Sequence, residues 1–187
     1  MILLASKSPR RRELLKMLDI PFETVDIKDV DEVYPADLEP DKVSEYLSRL
    51  KSEAYLPELK EDDILITADT VVILENEIIG KPKDLADAKK MLCKLAGRIH
   101  RVVTGVTIST TKKSVTFSTV TEVNFAPLSD AEIEYYVEKY RPLDKAGAYG
   151  IQEWIGGVGV AGINGSFYNV MGLPVHRLYN ELLLFGC

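Results

Sequence analysis

Apolar positions along the chain follow two kinds of pattern, and the two alternate. Met1 to Ala5 is a continuous apolar run and predicts a short strand. Ser8-Pro9 predicts a helix start, with serine as N-cap and proline at the first helical position. Leu14, Leu15 and Leu18 then form one apolar face. Phe22 to Val25 predicts a second strand, and the acidic stretch Asp26 to Asp41, broken by Pro35 and Pro40, predicts a loop. Helical spacing returns over Asp41 to Tyr55 through Val43, Leu47, Leu50 and Ala54. Ile64 to Leu74, ILITADTVVIL, is β-branched and apolar like a buried strand. A turn at Glu75-Asn76-Glu77 and a return strand at Ile78-Ile79 follow, ended by Gly80-Lys81-Pro82.

The second half continues the alternation. Asp84 to Ala96 predicts an amphipathic helix capped by Asp84, with Leu85, Ala88, Met91, Leu92 and Leu95 inward. Two strands, Val102 to Ser109 and Val115 to Phe125, flank the polar turn Thr110 to Lys113. Ser129 and Glu132 predict a capping box opening the helix to Val137. Asp144 to Gln152, DKAGAYGIQ, predicts a tight loop whose small residues allow close backbone approach to a ligand. The glycines of Gly157 to Gly162 predict a β-hairpin, with Ile163 to Ser166 as a turn. Leu173 to Phe185 closes the chain as a helix with Leu178, Leu182 and Phe185 inward. At 187 residues the chain suffices for one domain or two lobes sharing a core.

Composition narrows the function. A net charge of −6 argues against a nucleic-acid polymer as partner, which needs a broad basic surface, but leaves room for a small anion. Cys93 and Cys187 are too few for a disulfide framework, so a reducing, cytoplasmic setting with inert thiols is expected. The apolar start is too brief for a signal peptide, and no apolar run approaches a membrane span. His100 and His176 stand far apart without ligand partners at metal spacing.

Two places carry charge that a merely structural element would avoid. Arg10, Arg11 and Arg12 crowd the first turn of the first helix, where each cation is unfavourable by about 0.3–1 kcal/mol. Free first-turn N–H groups, the hydroxyls of Ser6 and Ser8 and arginine forks together predict a phosphate site, and removing Arg10 or Arg11 is expected to leave stability equal or slightly higher. Asp69 interrupts the middle of the most apolar strand, where a carboxylate needs a cation, a metal or a catalytic task. The chain has no G-x-x-x-x-G-K-[ST] loop. GVGVAG matches G-x-G-x-x-G, but turn-like residues follow it and only 25 residues remain, too few for the helix and second strand that a dinucleotide site needs.

Taken together, ASKSPRR, ADTVV, GKP, DKAGAYGIQ and INGSFYNVMGLP resemble, in order and spacing, the Maf family of nucleoside triphosphate pyrophosphatases, and the resemblance runs through nearly the whole chain. It implies an α/β fold, a long twisted mixed β-sheet with surrounding helices and a central cleft, similar to the inosine triphosphate pyrophosphatases, as one Maf-like domain over residues 1–187 with two lobes. DKAGAYGIQ resembles the branch acting on dTTP and UTP. The resemblance assigns Ser6, Ser8, Arg10, Arg11 and Lys51 to the triphosphate, Asp69 and Lys81 to catalysis, Glu32 and Asp69 to a divalent cation (Mg²⁺ or Mn²⁺), and Arg10, Thr70 and Gln152 to base selection. Water attacking the α-phosphorus would release the nucleoside monophosphate and pyrophosphate. The partner would be a small nucleoside triphosphate, not a polymer or a membrane, and a homodimer is compatible with the resemblance. A nucleotide-sensing regulator of cell division that does not hydrolyse, and a nucleotidyl transferase, stay open as alternatives.

Overall fold

The two strands predicted first form as β1 (Ile2–Ala5) and β2 (Phe22–Thr24). With β3 (Ile64–Leu74), β4 (Glu77–Ile79), β5 (Ile99–Ser109), β6 (Ser114–Phe125) and β7 (Val160–Asn164) they build one mixed sheet. The computed structural model describes residues 1–186, so Cys187 lies outside the described residues. Among the described residues the strand order is β2-β1-β3-β5-β6-β7, with β4 paired to β3. Helices α1 (Pro9–Lys16), α2 (Pro40–Glu53), α3 (Leu85–Leu95), α4 (Asp130–Tyr140), α5 (Trp154–Gly159), α6 (Phe167–Met171) and α7 (Val175–Leu184) complete the α/β fold. Among the described residues no helix is long and apolar enough to cross a membrane.

The chain divides into two compact units. The first comprises Met1–Thr70, Thr104–Thr119 and residues 172–186, the second Val71–Val103 and Val120–Met171. In the first, β1 lies parallel to both β2 and β3, with Ile2 opposite Phe22 and Ile64. Parallel strands covered on both faces are apolar throughout, which accounts for ILLA and for the first half of β3. Helix α2 covers β5 through a seam of small polar side chains. Ser48 Oγ shares a hydrogen bond with Thr107 Oγ1 (2.9 Å), and Ser52 Oγ with Ser109 Oγ (2.7 Å). At Gly105 a Cβ would lie 2.3 Å from the Ser44 carbonyl carbon, so only glycine allows α2 to sit this low. Leu50 and Ala54, expected inward, are half-buried, and Ser44, Ser48 and Ser52 take the buried face beside Val43 and Leu47.

The second unit has its own core, in which Leu92, Leu95, Val123, Phe125, Tyr136, Val137 and Ile155 meet. The predicted caps form. Asp84 accepts the Asp87 N–H (2.8 Å), and Ser129 and Glu132 make the capping box. The glycine run is not a hairpin. Gly157 and Gly159 end the short helix α5, and Gly162 lies in β7, which pairs antiparallel with β6. Glycine tolerates helix, turn and strand alike, so its spacing did not distinguish these. Ile163 and Asn164, expected in a turn, belong to that strand, and α6 follows at Phe167–Met171. Cys93 lies on α3 with its side chain exposed.

His100, at the start of β5, is buried and shares a hydrogen bond with Tyr149 Oη (2.7 Å). Burial pulls its imidazole down from its ordinary 6.5 to about 4. Between those values the unfolded chain binds a proton that the folded chain does not. Stability therefore falls as pH drops through that window and levels off below it, a total of roughly 3 kcal/mol. His100→Gln keeps a partner for Tyr149 but does not titrate. Denaturant unfolding at about pH 7 and about pH 5 should show the parent losing about 2 kcal/mol more than the variant. Equal losses would mean that His100 does not carry this pH dependence.

Candidate active site

The first helix turn is built as its sequence suggests, but its arginines diverge. Ser8 caps α1, its Oγ accepting the Arg11 N–H (3.4 Å), and Ser6 Oγ accepts the Ser8 N–H (3.2 Å). Arg12 is exposed and Arg10 half-buried. Arg11 turns inward. Its Nε donates to the Gly172 carbonyl (2.8 Å), Nη1 to the Ala68 carbonyl (2.8 Å) and Nη2 to Thr70 Oγ1 (3.0 Å). Thr70 Oγ1 also shares a hydrogen bond with Thr104 Oγ1 (2.9 Å). Burial lowers the Arg11 pKa, the charges of Asp69 and Glu32 raise it, and Arg10 lowers it. Removing Arg11 therefore cannot be neutral for stability as the dipole argument predicts. Much of its fork is spent on the Gly172 and Ala68 carbonyls and the Thr70 hydroxyl, and the remaining N–H groups are what it could still offer a phosphate.

Asp69 sits at the centre of β3, almost fully buried. Lys51, projecting from α2, donates to its Oδ1 (2.6 Å) and lies 3.0 Å from Glu32 Oε1. One ammonium thus joins the strand carboxylate to a carboxylate of the acidic loop. Exposure grades outward from Asp69 (12% of its side chain) through Lys51 (20%) to Glu32 (50%). The seam that seats α2 low over β5 also sets how far Lys51 must reach.

Lys81 and Gln152 belong to the second unit, and both are exposed. They stand on stretches joined by backbone, since the Gly147 N–H donates to the Gly80 carbonyl (3.0 Å). Gly147 has φ +71°, and a Cβ there would press on Val72 Cγ2 at 3.1 Å, so this staple needs glycine. Residues 147–151 are buried, and the chain then presents Gln152 outward.

The sequence matches the family described as Maf-like protein over residues 1–185. The chain belongs to that family. Three relatives of the Maf-like chain are named dTTP/UTP pyrophosphatase. That of Porphyromonas gingivalis is 57% identical over 187 residues, covering 99% of this chain and 94% of its own. That of Parabacteroides distasonis is 54% identical (98% and 95% covered), and that of Flavobacterium psychrophilum 47% (97% and 93%). The Staphylococcus aureus Ham1 protein shares the fold, with TM-score 0.50 and 20% identity over 67% of this chain and 71% of that one.

The donor set of the Maf-like chain suits a hard divalent cation. Glu32 and Asp69 turn carboxylate oxygens toward a single positive charge, that of Lys51. Among the described residues no cluster of three or more His, Cys, Asp or Glu side chains could hold a metal. Two carboxylates with substrate oxygens and water completing the shell is how Mg²⁺ is ordinarily held. His100 is committed to Tyr149 and lies outside this set. Sequence reading missed Tyr136, Lys145 and Glu153, which brace the Gln152 loop. Lys145 lies at the polar end of the predicted loop, and Tyr136 and Glu153 carry no local pattern that marks them.

Proposed function

We propose that this chain hydrolyses dTTP and UTP to the nucleoside monophosphate and pyrophosphate in the cytoplasm. The reading is carried by 47–57% identity, over nearly the full length, with relatives named dTTP/UTP pyrophosphatase. The Lys51–Asp69 pair supports it with suitable chemistry. Lys51 engages Oδ1 of Asp69, and Oδ2 is the oxygen assigned to take the proton of the attacking water. Arg10, the remaining N–H groups of Arg11, Lys51 and the Ser6 and Ser8 hydroxyls are assigned to the triphosphate, which carries about four negative charges, and Lys81, with Asp69, to catalysis. Glu32 and Asp69 are assigned to Mg²⁺ or Mn²⁺, which when bound would neutralise part of that charge. The chain acts as one functional domain in this reaction.

Base selection is assigned to Gln152 with Arg10 and Thr70. Gln152 takes the largest share, because Arg11 and Thr104 already engage the Thr70 hydroxyl. Thymine and uracil present an N–H flanked by carbonyls, and a glutamine amide offers one acceptor and one donor to that edge. Losing one such pairing costs about 1–3 kcal/mol. In a nucleoside triphosphate panel with Mg²⁺ or Mn²⁺, dTTP and UTP should be the best substrates, CTP weaker, and ATP and GTP poor. Gln152→Ala should lower dTTP and UTP turnover roughly tenfold or more and leave residual ATP turnover nearly unchanged. Equal loss on every base would remove Gln152 from base selection. Binding without products would point to a sensor, and an adduct to a transferase.

A further inference from the structure

We propose that Tyr136, Lys145 and Glu153 form a clamp that closes the loop before Gln152 and positions that residue for base selection. The inference rests on the assignment of Gln152 to the base. Tyr136 projects from α4 with its side chain wholly buried in the core of the second unit, yet its hydroxyl is used twice. It donates to Glu153 Oε2 and accepts the Gly150 N–H (3.0 Å). Lys145 Nζ lies 3.2 Å from Glu153 Oε1 and 2.9 Å from Asp144 Oδ1. The Lys145 and Glu153 side chains are 10% and 20% exposed, so this pair closes the loop away from bulk water. Gly150 is enclosed by it, since a Cβ there would meet Glu153 Cδ and Lys145 Cε at 3.0 Å.

Glu153 makes the case for a positioning role. It is the N-cap residue of α5, but its side chain makes no capping bond. It turns back to Tyr136 and Lys145 instead. An ion pair so withdrawn from water contributes little net stability compared with apolar packing, whereas it fixes geometry. What it fixes is the backbone on both sides of Gln152. Gly150 is held by Tyr136, Ile151 is buried, and Glu153 is held by two partners. A glutamine amide on a mobile backbone would meet every base equally well, and discrimination requires that it be held.

The test is a double-mutant cycle with Tyr136→Phe and Gln152→Ala, reading kcat and KM for dTTP and for ATP. Tyr136→Phe should lower the dTTP-to-ATP ratio of kcat/KM about fivefold, mainly by raising KM for dTTP, and should lower it no further when Gln152 is already alanine. Glu153→Gln, which keeps an acceptor for the Tyr136 hydroxyl, should fall between parent and Tyr136→Phe and serves if Tyr136→Phe does not fold. A ratio that Gln152→Ala changes and Tyr136→Phe or Glu153→Gln leaves at the parent value overturns the clamp and spares the base assignment. So does a further drop in the double variant. A ratio that Gln152→Ala itself leaves unchanged overturns the base assignment and the clamp with it.

Discussion

Asp69→Asn should lower kcat for dTTP by at least two orders of magnitude and leave the protein folded. Asparagine has the shape of aspartate and can still accept the Lys51 hydrogen bond now made to Oδ1 (2.6 Å), so the strand need not rearrange. It cannot take a proton from water, and it ligates a hard cation poorly. A lost general base typically costs about 10²–10⁴ in rate. Lys51 retains Glu32 at 3.0 Å in the variant, so its charge is not stranded. Steady-state kinetics with a thermal melt on the same sample check the prediction. Near-parental turnover by a folded variant would remove Asp69 from the mechanism.

Arg11→Ala should be the most destabilising change in the arginine turn. The Ala68 and Gly172 carbonyls and the Thr70 hydroxyl each accept from this guanidinium inside the first unit. Hydrogen bonds from a charged donor contribute about 1.5–3 kcal/mol apiece, and stranding their acceptors in a buried site costs more. Against this, alanine relieves the burial that lowers the arginine's pKa and the unfavourable place in the helix dipole. The bonds outweigh both, leaving a net loss of about 3 kcal/mol, or roughly 10 °C in the melting midpoint for a chain of this size. Arg12→Ala, which removes an exposed cation from the same turn, should move the midpoint by about 1 °C or less. If the two variants melt alike, the inward bonds of Arg11 are not holding this site together.

The arginine turn also marks the limit of what the sequence discloses. Helix starts at Ser8, Asp84 and Ser129 were legible because an N-cap is a local interaction between neighbours in the chain. Strands β1 and β3 were legible because burial on both faces makes them apolar without a break. Asp69 was legible for the opposite reason, as a charge in a run that excludes charge. The inward turn of Arg11 was not, because its acceptors are mostly backbone carbonyls, and a carbonyl is the same at every residue. Nor was the α2 seam, where Ser48 and Ser52 are polar letters in buried places whose hydroxyls are met by Thr107 and Ser109 of β5. The glycines at 157–162 fitted a hairpin as well as they fit α5 and β7, since they carry no side-chain pattern to decide between them. Tyr136 carries no local pattern that marks it, and only its hydroxyl partners distinguish it.

In the proposed reaction water attacks the α-phosphorus and pyrophosphate leaves. Running the reaction with dTTP in heavy-oxygen water and weighing both products tests it most directly. Thymidine monophosphate should carry one heavy oxygen and pyrophosphate none. Heavy oxygen in the pyrophosphate, or release of inorganic phosphate with a nucleoside diphosphate, would contradict it.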